Sequence, residues 1–131
     1  MDKLNNSLGI WQITSSNLIT DIVGAAGFEL VLVDFEHGLN NPNSLQDIVF
    51  AAKNRNLFTI ARGPSIDYEN ISNIIDTGIN GILYPHIESE AQLKKIFNVT
   101  LLPPNGNRGF SPFVPRFNYK SIANAKIKIQ R

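Results

Sequence analysis

The stretch that decides the fold is Val31-Leu32-Val33-Asp34-Phe35-Glu36-His37-Gly38, where an apolar run stops on two carboxylates and an imidazole. A near-continuous apolar run, here within Phe28 to Asp34, reads as a strand buried in a parallel sheet. Titratable groups clustered where such a strand ends occupy the position at which α/β folds place their chemistry. The alternative is a strand followed by a solvated turn, and the rest of the chain decides between them.

Working outward, the chain alternates between short apolar runs and amphipathic segments. Leu8 to Ile13 reads as a strand. Ser15 or Ser16 can cap a helix from Asn17 to Ala26, and Gly27 can stop it. After the second strand, Asn41-Pro42 opens a helix to about Asn54, with Leu45, Ile48, Val49 and Ala52 at helical spacing. Leu57 to Ala61 is a third strand, followed by Arg62-Gly63-Pro64. Asp67 starts a third helix ending at Gly78. Asn80 to Tyr84 is a fourth strand, and Ser89-Glu90 starts a helix to about Phe97. A loop rich in Pro, Gly and Asn spans Pro103 to Pro115. A short helix near Tyr119 to Asn124 and a fifth strand, Ala125 to Gln130, complete the reading.

Four βα units and a fifth strand specify a parallel sheet with right-handed crossovers. The expected class is α/β of the (β/α)8-barrel type, truncated to about the first four βα units plus a fifth strand, because a closed barrel needs roughly 200 residues or more. No linker divides residues 1–131, which form a single partial barrel domain. Val31, Leu32, Val33, Ile60, Ile82 and Leu83 are the expected buried strand residues.

Composition narrows the function. A net charge of +1 gives no electrostatic case for nucleic acid or an anionic membrane surface. No apolar run approaches the ~18 residues of a membrane span, and the start of the chain lacks a secretory signal. The chain has no Cys, which excludes thiolate catalysis and thiolate metal sites and fits a cytoplasmic location. The expected strand ends carry Trp11-Gln12, Asp34/Glu36/His37, Arg62 and Pro85-His86, and in a barrel these converge on one face. An imidazole and a guanidinium in one pocket suit acid–base chemistry on a carboxylate or keto substrate.

The run from Gly27 to Gly38 resembles the aspartate–glutamate–histidine signature of the HpcH/HpaI aldolases. The likeness continues through Ile60 to Pro64, Ile74 to Ile87 and Pro103 to Phe110, in order and at compatible spacing. The resemblance implies a metal-dependent class II aldolase that joins or cleaves pyruvate enolate and an aldehyde, working as a homo-oligomer. It assigns proton transfer to His37 and transition-state stabilisation and substrate binding to Arg62. Asp76 matches the aspartate that raises the histidine's basicity, either across a subunit interface or, alternatively, as an ordinary helix-end carboxylate. Gln130 matches a substrate-contacting Gln. His86 and Glu88 receive no role and read as rim residues, and Gly106, Arg108 and Gly109 read as a substrate-side loop.

The resemblance also implies a divalent ion (Mg²⁺, Mn²⁺ or Co²⁺), held by a Glu after the fifth strand and a later Asp. Neither ligand is present in this sequence, so aldolase activity is expected to be impaired. The alternative is a catalytically inactive barrel fragment, a remnant or an assembly module.

Overall fold

A computed structural model describes residues 6–63 and 68–120. Four strands, β1 (Gly9–Gln12), β2 (Leu30–Asp34), β3 (Phe58–Arg62) and β4 (Gly81–Leu83), alternate with helices α1 (Asn17–Ala25), α2 (Pro42–Asn54), α3 (Tyr68–Asp76) and α4 (Glu90–Thr100). The strands lie side by side in chain order and every pair is parallel. This is the opening arc of a (β/α)-barrel, the class the alternation predicts. The expected fifth strand and Gln130 lie outside the described residues. No helix among those described is long and apolar enough to cross a membrane.

Local signals account for the helix ends. The Ser16 hydroxyl accepts from the Ile19 backbone N–H, and Asn41 and Ser89 each open a capping box, with Pro42 at the first turn of α2. Gly27 and Gly78 follow α1 and α3 at φ +91° and +88°, the left-handed region that a side chain disfavours. The helix expected to start near Tyr119 does not start there. A 3₁₀ turn at Pro115–Phe117 is followed by Asn118 and Tyr119 at φ +54° and +53°, and the rest of that segment lies outside the described residues.

The core lies between the sheet and the helices. Val31, Val33 and Ala61 from the strands meet Leu45, Ile48, Val49 and Ala52 of α2 and Ile74 of α3, with Ile10 and Ile82 packed alongside. Strand periodicity of two sends the alternate residues (Trp11, Leu30, Leu32, Asp34, Ile60, Arg62, Leu83) to the opposite, inner face. Of the six strand residues expected in the interior, Val31 and Val33 are fully buried. Leu32, Ile60 and Ile82 are half-buried and Leu83 is exposed. Leu32, Ile60 and Leu83 stand on the face that the described helices do not cover, and Ile82 lies on the edge strand.

Ile48 is fully buried and Leu39 is 83% exposed. Replacing Ile48 by Ala is expected to cost about 2–5 kcal/mol of unfolding free energy. Leu39→Ala should stay within about 0.5 kcal/mol. Urea midpoints of the two variants at equal slope check the contrast.

Candidate active site

The inner-face alternation carries Trp11, Asp34 and Arg62 to neighbouring positions at the carboxyl ends of β1, β2 and β3, with Asp34 and Arg62 paired in register. Arg62 grips Asp34 through two parallel hydrogen bonds, Nε to Oδ1 at 2.9 Å and Nη2 to Oδ2 at 2.6 Å. The Trp11 indole Nε1 donates to Oδ2 at 3.1 Å, and the guanidinium carbon lies 4.7 Å from the indole ring centre, a cation–π contact. Oδ1 also accepts the backbone N–H groups of Glu36 (2.9 Å) and His37 (3.2 Å).

Five donors therefore converge on one carboxylate that is 1% exposed. The Arg62 guanidinium, ahead of a burial penalty, holds the Asp34 carboxyl far below the usual carboxylate range, and Trp11 and the loop amides add to it. Asp34 in turn raises Arg62 above its already high value.

The loop after β2 is shaped from the same carboxylate. Besides the two amides on Oδ1, Asn40 Nδ2 donates to the Asp34 carbonyl at 2.8 Å, and the Leu39 N–H donates to the Ile13 carbonyl at 2.9 Å. A Cβ on Gly38 would collide with the backbone oxygens of Asp34 and Ile13, so the turn closes only on a glycine. His37 stands exposed on this loop, at the same end of the sheet as Arg62. Glu36 turns inward and bridges Arg62 Nη1 (2.9 Å) and His86 Nε2 (2.7 Å).

Asp76 and the loop at Gly106 and Arg108 do not join this group, and Gln130 lies outside the described residues. Asp76 ends α3, at the opposite end of the sheet, where its Oδ1 accepts from Arg108 Nη1 at 2.9 Å. Burial pushes the Asp76 carboxyl up, against the pull of Arg108. Arg108 is itself buried and also donates from Nε to the Thr100 carbonyl at 3.0 Å. Gly106 sits where a Cβ would meet the carbonyl oxygens of Phe97, Asn98 and Leu101. The loop expected on the substrate side is, at Gly106 and Arg108, a wrap over the end of α4 that ties α4 to α3. Its Gly and Arg are explained by close packing and a buried ion pair.

Trp11 and Asp34 were visible in the sequence as strand-end residues without a task. The signal that gives them one is the period-two alternation of β2 together with the parallel register. Among the described residues no group of three His, Cys, Asp or Glu side chains could hold a metal ion. Asp34 and Glu36 are both turned onto Arg62, so the described residues do not fit the divalent ion that the resemblance implies.

Sheet order and helix placement define part of an α/β barrel with a polar cluster at the strand carboxyl ends. The chain belongs to the HpcH/HpaI aldolase/citrate lyase family, whose model matches residues 7–130. It is 32% identical over 108 residues to a hydroxypyruvate/pyruvate aldolase of Roseobacter denitrificans, covering 82% of this chain and 42% of that protein. It is 29% identical over 104 residues to a 5-keto-4-deoxy-D-glucarate aldolase of Salmonella paratyphi A, covering 79% and 41%. The fold matches an HpcH/HpaI aldolase of Desulfitobacterium hafniense with a TM-score of 0.83 at 23% identity, over 95% of this chain and 48% of that one. The structure of macrophomate synthase matches with a TM-score of 0.75 at 29% identity, over 82% and 37%. The chain thus spans less than half the length of these relatives.

The depressed Asp34 carboxyl favours the folded state wherever an unfolded Asp is ionised, above about pH 4. That contribution is lost as pH falls towards Asp34's own folded titration. The raised Asp76 has the opposite sign and gains relative stability on protonation. The urea midpoint is therefore expected to fall between pH 5 and pH 3. The fall should be shallower in Asp34→Asn, which also starts lower at pH 7, and steeper in Asp76→Asn. A pH series of denaturation curves on the three proteins tests both signs.

Proposed function

We propose that the rim formed by β2 and β3 is the keto-acid half of an aldolase-type site, acting on pyruvate or its enolate and, across the bond made or broken, on an aldehyde. The observation that carries this reading is the clamped state of Arg62. A guanidinium has five N–H donors in a fixed plane; Asp34 engages two of them by hydrogen bonds, and Glu36 pairs with Nη1 by charge. The remaining donors belong to a cation whose orientation is set on two edges and against an indole. Such a fork suits a carboxylate and the adjacent keto oxygen, which present two acceptors in one plane.

The chemistry then divides between two residues. In the cleavage direction, a base takes the proton of the 4-hydroxyl, the C3–C4 bond breaks, and the electron pair passes to the keto acid as an enolate. Protonation of C3 gives pyruvate. His37 is assigned the proton transfer, since an imidazole can take and return a proton near neutral pH. Arg62 is assigned the developing enolate charge, where a fixed donor costs no reorganisation. Asp34 takes no part in proton transfer: its far-lowered carboxyl stays ionised and serves to hold Arg62. The described residues do not form a site for a divalent ion. That same mismatch favours a second reading, in which the chain is a barrel module without turnover.

Pyruvate titrated into the ¹⁵N-labelled chain tests the seat directly. Binding is expected to perturb Arg62 side-chain signals, and Arg62→Lys should weaken it roughly ten- to hundredfold, the loss of a charge-assisted pair. Equal binding by Arg62→Lys defeats the reading. The 131-residue chain is expected to show little or no retro-aldol turnover with or without Mg²⁺ or Mn²⁺. In any form of the protein that cleaves a 4-hydroxy-2-keto acid, His37→Ala should lower the rate ~10²–10⁴-fold.

A further inference from the structure

We propose that His86 is a positioning residue that acts through Glu36 to set the orientation of Arg62 at the barrel mouth. The inference rests on the reading of Arg62 as the keto-acid seat. Three observations carry it.

The first is a contact between distant segments. His86 follows the end of β4, yet its Nε2 lies 2.7 Å from Oε1 of Glu36, fifty residues earlier in the chain. The second concerns what else holds Glu36. It lies on the loop after β2, and its other carboxylate oxygen, Oε2, faces Arg62 Nη1 at 2.9 Å without a well-aligned hydrogen bond in a buried position. The imidazole is thus the well-formed hydrogen bond on a carboxylate that presses against one edge of the guanidinium.

The third is the backbone of His86 itself, at φ +55°. A non-glycine residue there is strained, and such residues persist where the surroundings fix them and concentrate at functional sites. The imidazole is 69% exposed, so its burial does not compensate for the strain. Its partner in the structure is Glu36.

The chemical consequence follows from geometry. Asp34 holds the Nε/Nη2 edge of the guanidinium, and Glu36 holds Nη1. With His86 in place, Glu36 is pinned from the far side and Arg62 is braced on both edges. Without it, Glu36 keeps a poorly aligned ion pair and can swing over the donors that a keto acid needs. Asp34 and Glu36 also present two negative charges to one guanidinium, and a loose Glu36 competes with an incoming carboxylate.

The test is a cycle of His86→Gly, Glu36→Gln and the double variant, each with three readouts: the Arg62 Nε–H resonance, pyruvate affinity and the urea midpoint. Glycine removes the imidazole and relieves the left-handed backbone, so His86→Gly should leave the urea midpoint unchanged or raised. It should nevertheless shift the Arg62 resonance and change pyruvate affinity, with a loss of roughly three- to tenfold. In the Glu36→Gln background His86→Gly should have no further effect, because coupled residues are non-additive. An Arg62 resonance unmoved by His86→Gly overturns the inference, as does an additive double variant. If the unaltered chain does not bind pyruvate, the keto-acid reading fails. The Arg62 resonance then still decides whether His86 positions the guanidinium.

Discussion

The buried pair between Asp34 and Arg62 is the interaction on which the rest of this molecule's chemical end depends. A carboxylate this deeply removed from water is tolerable only when its charge is matched and its lone pairs are filled. Here the matching cation comes from the adjacent strand, an indole N–H comes from the strand on the other side, and two amides come from the loop that follows. One side chain therefore couples the ends of three strands to the conformation of the loop bearing Glu36 and His37. Removing either partner strands the other charge, whereas replacing both affects packing and loop geometry together.

That coupling has a geometric requirement, which the parallel register meets. Asp34 and Arg62 are direct neighbours across β2 and β3, and Trp11 lies one position short of the end of β1. A slip of one residue in any strand would send its polar residue into the helix-covered core. The apolar residues on the other face, Val31, Val33 and Ala61, fix the register by burying completely. Core packing and site geometry are thus two faces of one alternation: hydrophobic burial against α2 and α3 selects the register, and the register delivers the pair.

The alternation of apolar runs with capped helical stretches made the order of elements readable from residue types alone, since Ser16, Asn41, Ser89 and the two left-handed glycines are local signals. Burial was less readable. Leu32, Ile60 and Leu83 look like Val31 in composition, but their exposure depends on which face the helices cover, a property of the assembled sheet. In the site, Arg62 and the Asp34–His37 segment were marked by the place where an apolar run ends. The tie from Glu36 to His86 could not be read, because it joins segments that follow two strands which are not sheet neighbours and depends on a backbone angle that histidine seldom takes. Arg108 misled for a related reason: the Gly106-Asn107-Arg108-Gly109 loop resembles a ligand loop until its arginine is seen buried against Asp76.

The two ion-pair systems at opposite ends of the sheet differ in what they can do. At the α3–α4 end, Arg108 is enclosed, satisfied by Asp76 and the Thr100 carbonyl, so it has a structural task and little freedom. At the strand carboxyl ends, Arg62 is braced but part-exposed, and donors remain after its protein partners are counted. Both arginines sit in costly polar surroundings, and burial alone does not separate a clamp from a seat. What separates them is whether orientation has been fixed while donors are left unspent. That criterion is what supports the proposed anion seat at Arg62, held by Asp34 on one edge and by Glu36 on the other, over one at Arg108.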